Sequence, residues 1–127
     1  MRARRARSPR HGADERGARH PPLVEDAAAA KWEVAAAGLD MGRLHHGGIE
    51  ESVERRQLQQ AVATLRSAFG ADARGWHSPG FSQSVRTLDL IAEAGLDYVA
   101  DWANDDMPYA VTTSVGPLTA IPLAFDL

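Results

Sequence analysis

At 127 residues the chain has room for one domain with a modest core. It has no cysteine, which excludes disulfides and thiolate metal sites, and no apolar run approaches the roughly 18 residues of a membrane span. The net charge of −3 conceals an asymmetry: residues 1–20 hold seven arginines against Asp14 and Glu15, whereas residues 21–127 carry seven basic and fifteen acidic side chains.

Met1 to about Pro22 is rich in Arg, Gly, Pro and His, with almost no large apolar side chain. Such a segment cannot bury enough surface to offset the entropy of ordering, so it is expected to be disordered. Read functionally it would be a basic arm for nucleic acid, but no aromatic residue is interleaved for base stacking. It also fits a wrongly assigned start in GC-rich DNA, the reading favoured here. Arg4-Arg5 are followed by no apolar core, which supports neither a secretory nor a twin-arginine signal. With no cysteine in the chain, a cytoplasmic location is expected. The organisation expected is a disordered Arg-rich tail over residues 1–30 and a folded unit over 31–127.

Ala27 to Ala30 follow Glu25-Asp26, which predicts a short helix within Leu23–Lys31. Trp32 to Gly38 reads as a short buried strand, and residues 39–48 as a glycine-containing loop carrying Asp40, His45 and His46. Ile49 to Phe69 is the best-specified helix. Val53, Leu58, Ala61, Val62, Leu65 and Phe69 recur at three- and four-residue spacing, Glu50, Glu51 and Glu54 sit near its start, and Gly70 follows its end. Ala71 to Trp76 predicts a brief strand. A second helix, capped by Ser82 or Ser84, runs to Ala94 with Val85, Leu88, Ile91 and Ala92 inward, and Gly95 closes it. Leu96 to Asp101 is then a strand, parallel to its predecessor through a right-handed crossover. Leu118 to Leu123 forms one more short strand, placed at an edge by its proline.

In a parallel βα arrangement the loops after strands converge at the carboxyl ends of those strands. Loops 39–48, 76–82 and 102–109 would therefore bring together Asp40, His45, His46, His77, Ser78, Asn104, Asp105 and Asp106. Imidazoles with carboxylates suit a divalent metal such as zinc, or a general acid–base pair acting on water. Each has a plainer reading. Adjacent His45 and His46 do not point at one metal from a regular element, Asp105-Asp106 before Met107-Pro108 has the composition of a turn, and Trp76 and Trp102 suit a core. Ser78, in Trp-His-Ser-Pro, does not match a nucleophile elbow.

Gly75-Trp76-His77-Ser78-Pro79, Ser82-Gln83-Ser84-Val85-Arg86-Thr87 and the run from Leu90 to Tyr109 together resemble the polysaccharide deacetylases with the NodB homology domain. The likeness is to the branch with peptidoglycan deacetylase-like and allantoinase-like members, and it covers about residues 31–127. The resemblance implies an irregular (β/α) barrel, here partial, that hydrolyses an N-acetyl group or a related C–N bond, in many members with a metal held by one Asp and two His. Departures accompany it. Nothing in residues 1–30 resembles the early Asp-Asp motif, and Ala37 and Met41 stand where the family usually has two histidines. His77 occupies the usual arginine slot of Arg-x-Pro.

Carried onto this chain, the resemblance gives His77, Asp105 and Asp106 catalytic roles and makes Trp76, Ser78, Pro79, Trp102 and Asn104 substrate contacts. Asp40, His45 and His46 become substitute metal ligands. A whole barrel needs more than about 200 residues, so a truncated module with an open sheet edge, prone to self-association, is expected. The expected activity is that of a carbohydrate deacetylase-like hydrolase of amide bonds; the alternative is a non-catalytic remnant or binding module that keeps the substrate pocket. The expected partner is a small-molecule or carbohydrate substrate, with neither membrane nor nucleic acid.

Overall fold

Helix formation is strongest where the apolar stripe is longest. In a computed structural model, which describes Arg10, His11 and residues 21–40, 42–70, 73–103 and 105–123, the long helix α2 runs over Glu51–Phe69. An α1 helix over Pro21–Ala29 precedes it and α3, Thr87–Glu93, follows. The strands are β1 (Arg10–His11), β2 (Val34–Ala36), β3 (Gly75–Trp76), β4 (Tyr98–Val99), β5 (Tyr109–Thr112) and β6 (Pro117–Ala120).

The buried line on α2 is Glu54, Leu58, Ala61, Val62 and Leu65. Val53, expected in the stripe, lies half-buried beside it, and Glu54, expected at the solvated first turn, is inside. Glu51 stays outside, where it pairs with Arg55 at 3.0 Å and with Arg86. At the far end Gly70 has a φ of 77° and returns its N–H to the Arg66 carbonyl, as its place after the last apolar residue predicts.

Helix α3 begins later than predicted. Ser84 Oγ accepts from the Arg86 N–H at 3.0 Å, and Thr87 Oγ1 accepts from the Ser84 N–H at 2.8 Å. These side-chain bonds hold residues 84–87 in a turn, and the helix starts only at Thr87. Its inward face is therefore Thr87, Leu90 and Ile91, and Val85 is 91% exposed rather than buried. Gly95, with a φ of 77°, closes it.

The sheet has the order β1-β2-β3-β4-β6-β5. Neighbours from β1 to β4 pair in parallel, β6 joins β4 in parallel, and β5 and β6 form an antiparallel hairpin. This corrects the expected edge strand: β6 lies inside, and β5, which the sequence reading did not find, forms the rim. Pro117 is the first residue of β6, where a missing N–H does least damage. The parallel β3–β4 pair matches expectation, and Tyr98 and Val99 are both buried. Gly75 is obligatory, because a Cβ there would collide with the ring of Tyr98 across the ladder.

Helices α2 and α3 cover one face of this sheet. Val34, Ala36, Trp76, Val99, Leu118 and Ala120 from the strands meet Leu58, Ala61, Val62, Leu65, Leu90 and Ile91 from the helices in one apolar core. Within the segment expected to be disordered, Arg10–His11 pairs with Val34 and Ala35, and Pro21–Ala29 is helical. The other residues of 1–20 lie outside the described residues. Among the described residues no helix is long and apolar enough to cross a membrane.

Candidate active site

Parallel strands β2, β3 and β4 end side by side, and the ladder continues one step beyond them. The His77 N–H donates to the Ala36 carbonyl at 2.7 Å, and the Ala100 N–H to the Trp76 carbonyl at 2.9 Å. His77-Ser78 and Ala100-Asp101 therefore leave the sheet as neighbours. Loop 39–48 is drawn in by Gly38, which has a φ of 79° and space for no Cβ because Pro79 packs against it.

Asp101 is the hub of this end of the sheet. It accepts from the Ser78 N–H at 2.6 Å, from Ser78 Oγ at 2.6 Å, and from Gln83 Nε2. Ser78 Oγ in turn accepts from Trp76 Nε1 at 2.9 Å. His77 Nδ1 donates to the Ala100 carbonyl at 2.8 Å and lies 3.3 Å from Asp101 Oδ1. A carbonyl only accepts, so Nδ1 carries the proton and Nε2 of the neutral ring is the basic atom. Asp101 raises the imidazole above the ordinary histidine value, burial opposes it, and the Ala100 carbonyl adds to the rise. Burial alone would push the Asp101 carboxyl up, but His77, Ser78 and Gln83 outweigh it and hold it below the usual carboxylate range. The His77 side chain remains 15% exposed, and the ring of Phe81 stands edge-on to it at 4.6 Å.

A second carboxylate–imidazole pair lies deeper. His45 Nδ1 donates to Glu54 at 2.9 Å, and Ser84 Oγ and Thr87 Oγ1 donate to the same carboxylate at 2.6 and 2.5 Å. Burial would raise the Glu54 carboxyl; the three donors outweigh it and keep it below its ordinary value. His45 and Glu54 are each 1% exposed, and the His45 ring meets the indole of Trp76 edge-on at 5.6 Å.

The structure brings together His77, Ser78, Trp76 and Pro79 of the residues singled out in the sequence. Trp76, Ser78 and Pro79 are fully buried, so they support the site from beneath. Trp102 is half-buried against the core. Asp105 and Asp106 are exposed, and Asp105 Oδ1 accepts from the Asp106 N–H at 2.7 Å, which is a turn bond. Asn104 lies outside the described residues.

The three residues assigned to a metal do not form one donor set. Asp40 is engaged by Arg43 at 3.0 Å and by the Gly42 N–H at 2.7 Å. His45 is sealed against Glu54, whereas the exposed His46 accepts from the Gly48 N–H at 3.1 Å. Adjacent residues on this loop point one inward and one outward, and no group of three or more His, Cys, Asp or Glu among the described residues is placed to hold a metal ion. A zinc held by this trio does not fit.

Sequence reasoning missed Asp101, Gln83, Glu54 and Phe81. Glu54 had a visible signal: it falls in line with Leu58, Ala61 and Leu65 at helical spacing. Asp101 closed a predicted strand next to His77's strand, and the parallel pairing alone makes them neighbours.

No protein-family model matches the chain, and no curated protein matches it in sequence. Solved structures do. A protein described as a polysaccharide deacetylase from Mycobacterium smegmatis is 28% identical with a TM-score of 0.74, over 85% of this chain and 37% of that one. One so described from Pseudomonas aeruginosa PAO1 is 25% identical, with a TM-score of 0.70, over 86% and 36%. Puue allantoinase is 27% identical, with a TM-score of 0.71, over 86% and 36%. The chain thus spans a little over a third of the length of these neighbours. Its strands and helices have the arrangement of the NodB-type fold shared by polysaccharide deacetylases and allantoinase, which the chain resembles over most of its own length.

Proposed function

We propose that the chain is a deacetylase-like hydrolase of carbon–nitrogen bonds, acting on an N-acetylated carbohydrate. The observation that carries this reading is the His77–Asp101 pair, at the carboxyl ends of adjacent parallel strands with the imidazole partly exposed. His77 Nε2 takes a proton from water as the water oxygen bonds to the acyl carbon. The C–N bond then breaks, the nitrogen receives that proton, and a free amine and acetic acid leave, the acid giving up its proton to solvent as acetate. Asp101 holds the ring and offsets the charge of the imidazolium. Trp102 borders the substrate, and Asp105 and Asp106, on an exposed turn, meet its polar groups.

Acetate release from chito-oligosaccharides, with and without added zinc, tests the proposal. His77→Ala is expected to lower kcat about 10²–10³-fold; release unchanged by that substitution would remove His77 from the chemistry. Oligosaccharide binding with no acetate release under either condition would leave the alternative, a module that holds the sugar without cleaving it.

A further inference from the structure

Phe81 is held in a backbone conformation that favours glycine. Its φ is 57°, directly after Gly80 at 59°. A non-glycine residue in the left-handed region is strained, and the strain persists only where the surroundings impose it. Here they do. The Phe81 N–H donates to the Ser78 carbonyl at 3.0 Å, the Ser82 N–H to the Pro79 carbonyl at 3.1 Å, and Ser82 Oγ to that same carbonyl at 2.6 Å. Pro79 is itself buried against Gly38.

Strain of this kind is ordinarily offset by packing, yet this ring is 50% exposed. What the turn achieves is to stand the phenyl edge-on to His77 at 4.6 Å. From the facing loop Leu44, 44% exposed, reaches over Gly80, where a Cβ would sit 3.2 Å from Leu44 Cδ2. The Phe81 ring thus lies at the surface beside the imidazole, on a turn held by these bonds, with Leu44 of the facing loop over the adjoining Gly80. A flat apolar ring suits the C–H face of a pyranose, which has no charge to satisfy and buries carbon against carbon.

We propose that Phe81, with Leu44 beside it, is the platform on which the sugar ring of the substrate packs while its amide reaches His77. The proposal rests on the carbohydrate reading above and names the contact that recognises the sugar. Calorimetric titration of the full chain with chitotetraose tests it. Phe81→Ala and Phe81→Gly are expected to weaken binding about tenfold, and Phe81→Tyr, which keeps the ring, to retain it. Phe81→Gly is expected to melt about 4 °C above Phe81→Ala, because only glycine relieves the backbone, so weakened binding by the glycine variant reports the ring rather than a damaged fold. Equal binding by wild type and Phe81→Gly, or no binding by the wild-type protein, overturns the proposal. Binding that depends on Phe81 without acetate release would sink the hydrolase reading and leave the platform standing; acetate release with a KM indifferent to Phe81→Gly would do the reverse.

Discussion

Two carboxylate–imidazole pairs are built from nearly the same parts, and they differ in one respect. Glu54 takes bonds from His45, Ser84 and Thr87; Asp101 takes them from Ser78 and Gln83, with His77 beside it. Both carboxyls are held below their ordinary values by those donors, against burial. The Glu54 pair is sealed, joining loop 39–48 to α2 and the turn before α3. The Asp101 pair lies where two strands end, and its imidazole reaches solvent beside a strained, exposed phenyl ring. The same chemistry is a clasp in one place and a candidate site in the other, and access makes the difference.

The sharpest break of that contrast comes from removing each pair in turn. Glu54→Ala leaves a buried imidazole and two hydroxyls without their acceptor and is expected to cost about 3–5 kcal/mol, read from the denaturant midpoint. Gly38→Ala must leave a positive φ and displace Pro79, which is expected to cost about 2–3 kcal/mol by the same measurement and to loosen the loop that covers the clasp. His77→Ala is expected to change stability by only about 1 kcal/mol while lowering kcat about 10²–10³-fold. A loss as large as that of Glu54→Ala would make both pairs structural.

A finer test uses pH. His77 titrates above its ordinary value in the folded chain, so its contribution to stability is complete below about pH 6.5 and fades as pH climbs through the folded value. Asp101 titrates below its ordinary value, so its contribution is present above about pH 4 and fades as pH falls through the folded value. Stability conferred by the pair is therefore greatest between those limits. Asp101→Asn is expected to flatten that profile and, if His77 acts as the proposed base, to move the rising limb of the rate–pH curve to lower pH. The smallest effect belongs to the turn at Asp105: Asp105→Ala is expected to cost about 0.5 kcal/mol of stability, measured by thermal melting.

Periodicity carried the long helix because its stripe spans five turns, and a glycine marked its end. It failed at α3, where Ser84 and Thr87 spend their side chains on local backbone bonds and delay the helix past Val85. The strand expected over Leu118–Leu123 is β6, which starts one residue earlier at Pro117, but its hairpin partner β5 was not foreseen. At the site, His77 and its neighbours were legible through their resemblance to known deacetylases. Asp101 was not singled out, although the expected parallel pairing of its strand with that of His77 made the two neighbours. The division of His45 from His46 was also invisible, because loop side chains follow no period.

One buried ring touches both pairs. Trp76 donates its indole N–H to Ser78, which donates to Asp101, and the same indole lies edge-on against His45. Fully shielded from water, it is a fluorophore wired between the clasp and the site. With Trp32 and Trp102 replaced, its emission is expected to respond to loss of the Glu54 pair through the nearby imidazole and to a change at Asp101 through the hydroxyl it binds, so one optical signal would follow both ends of the network.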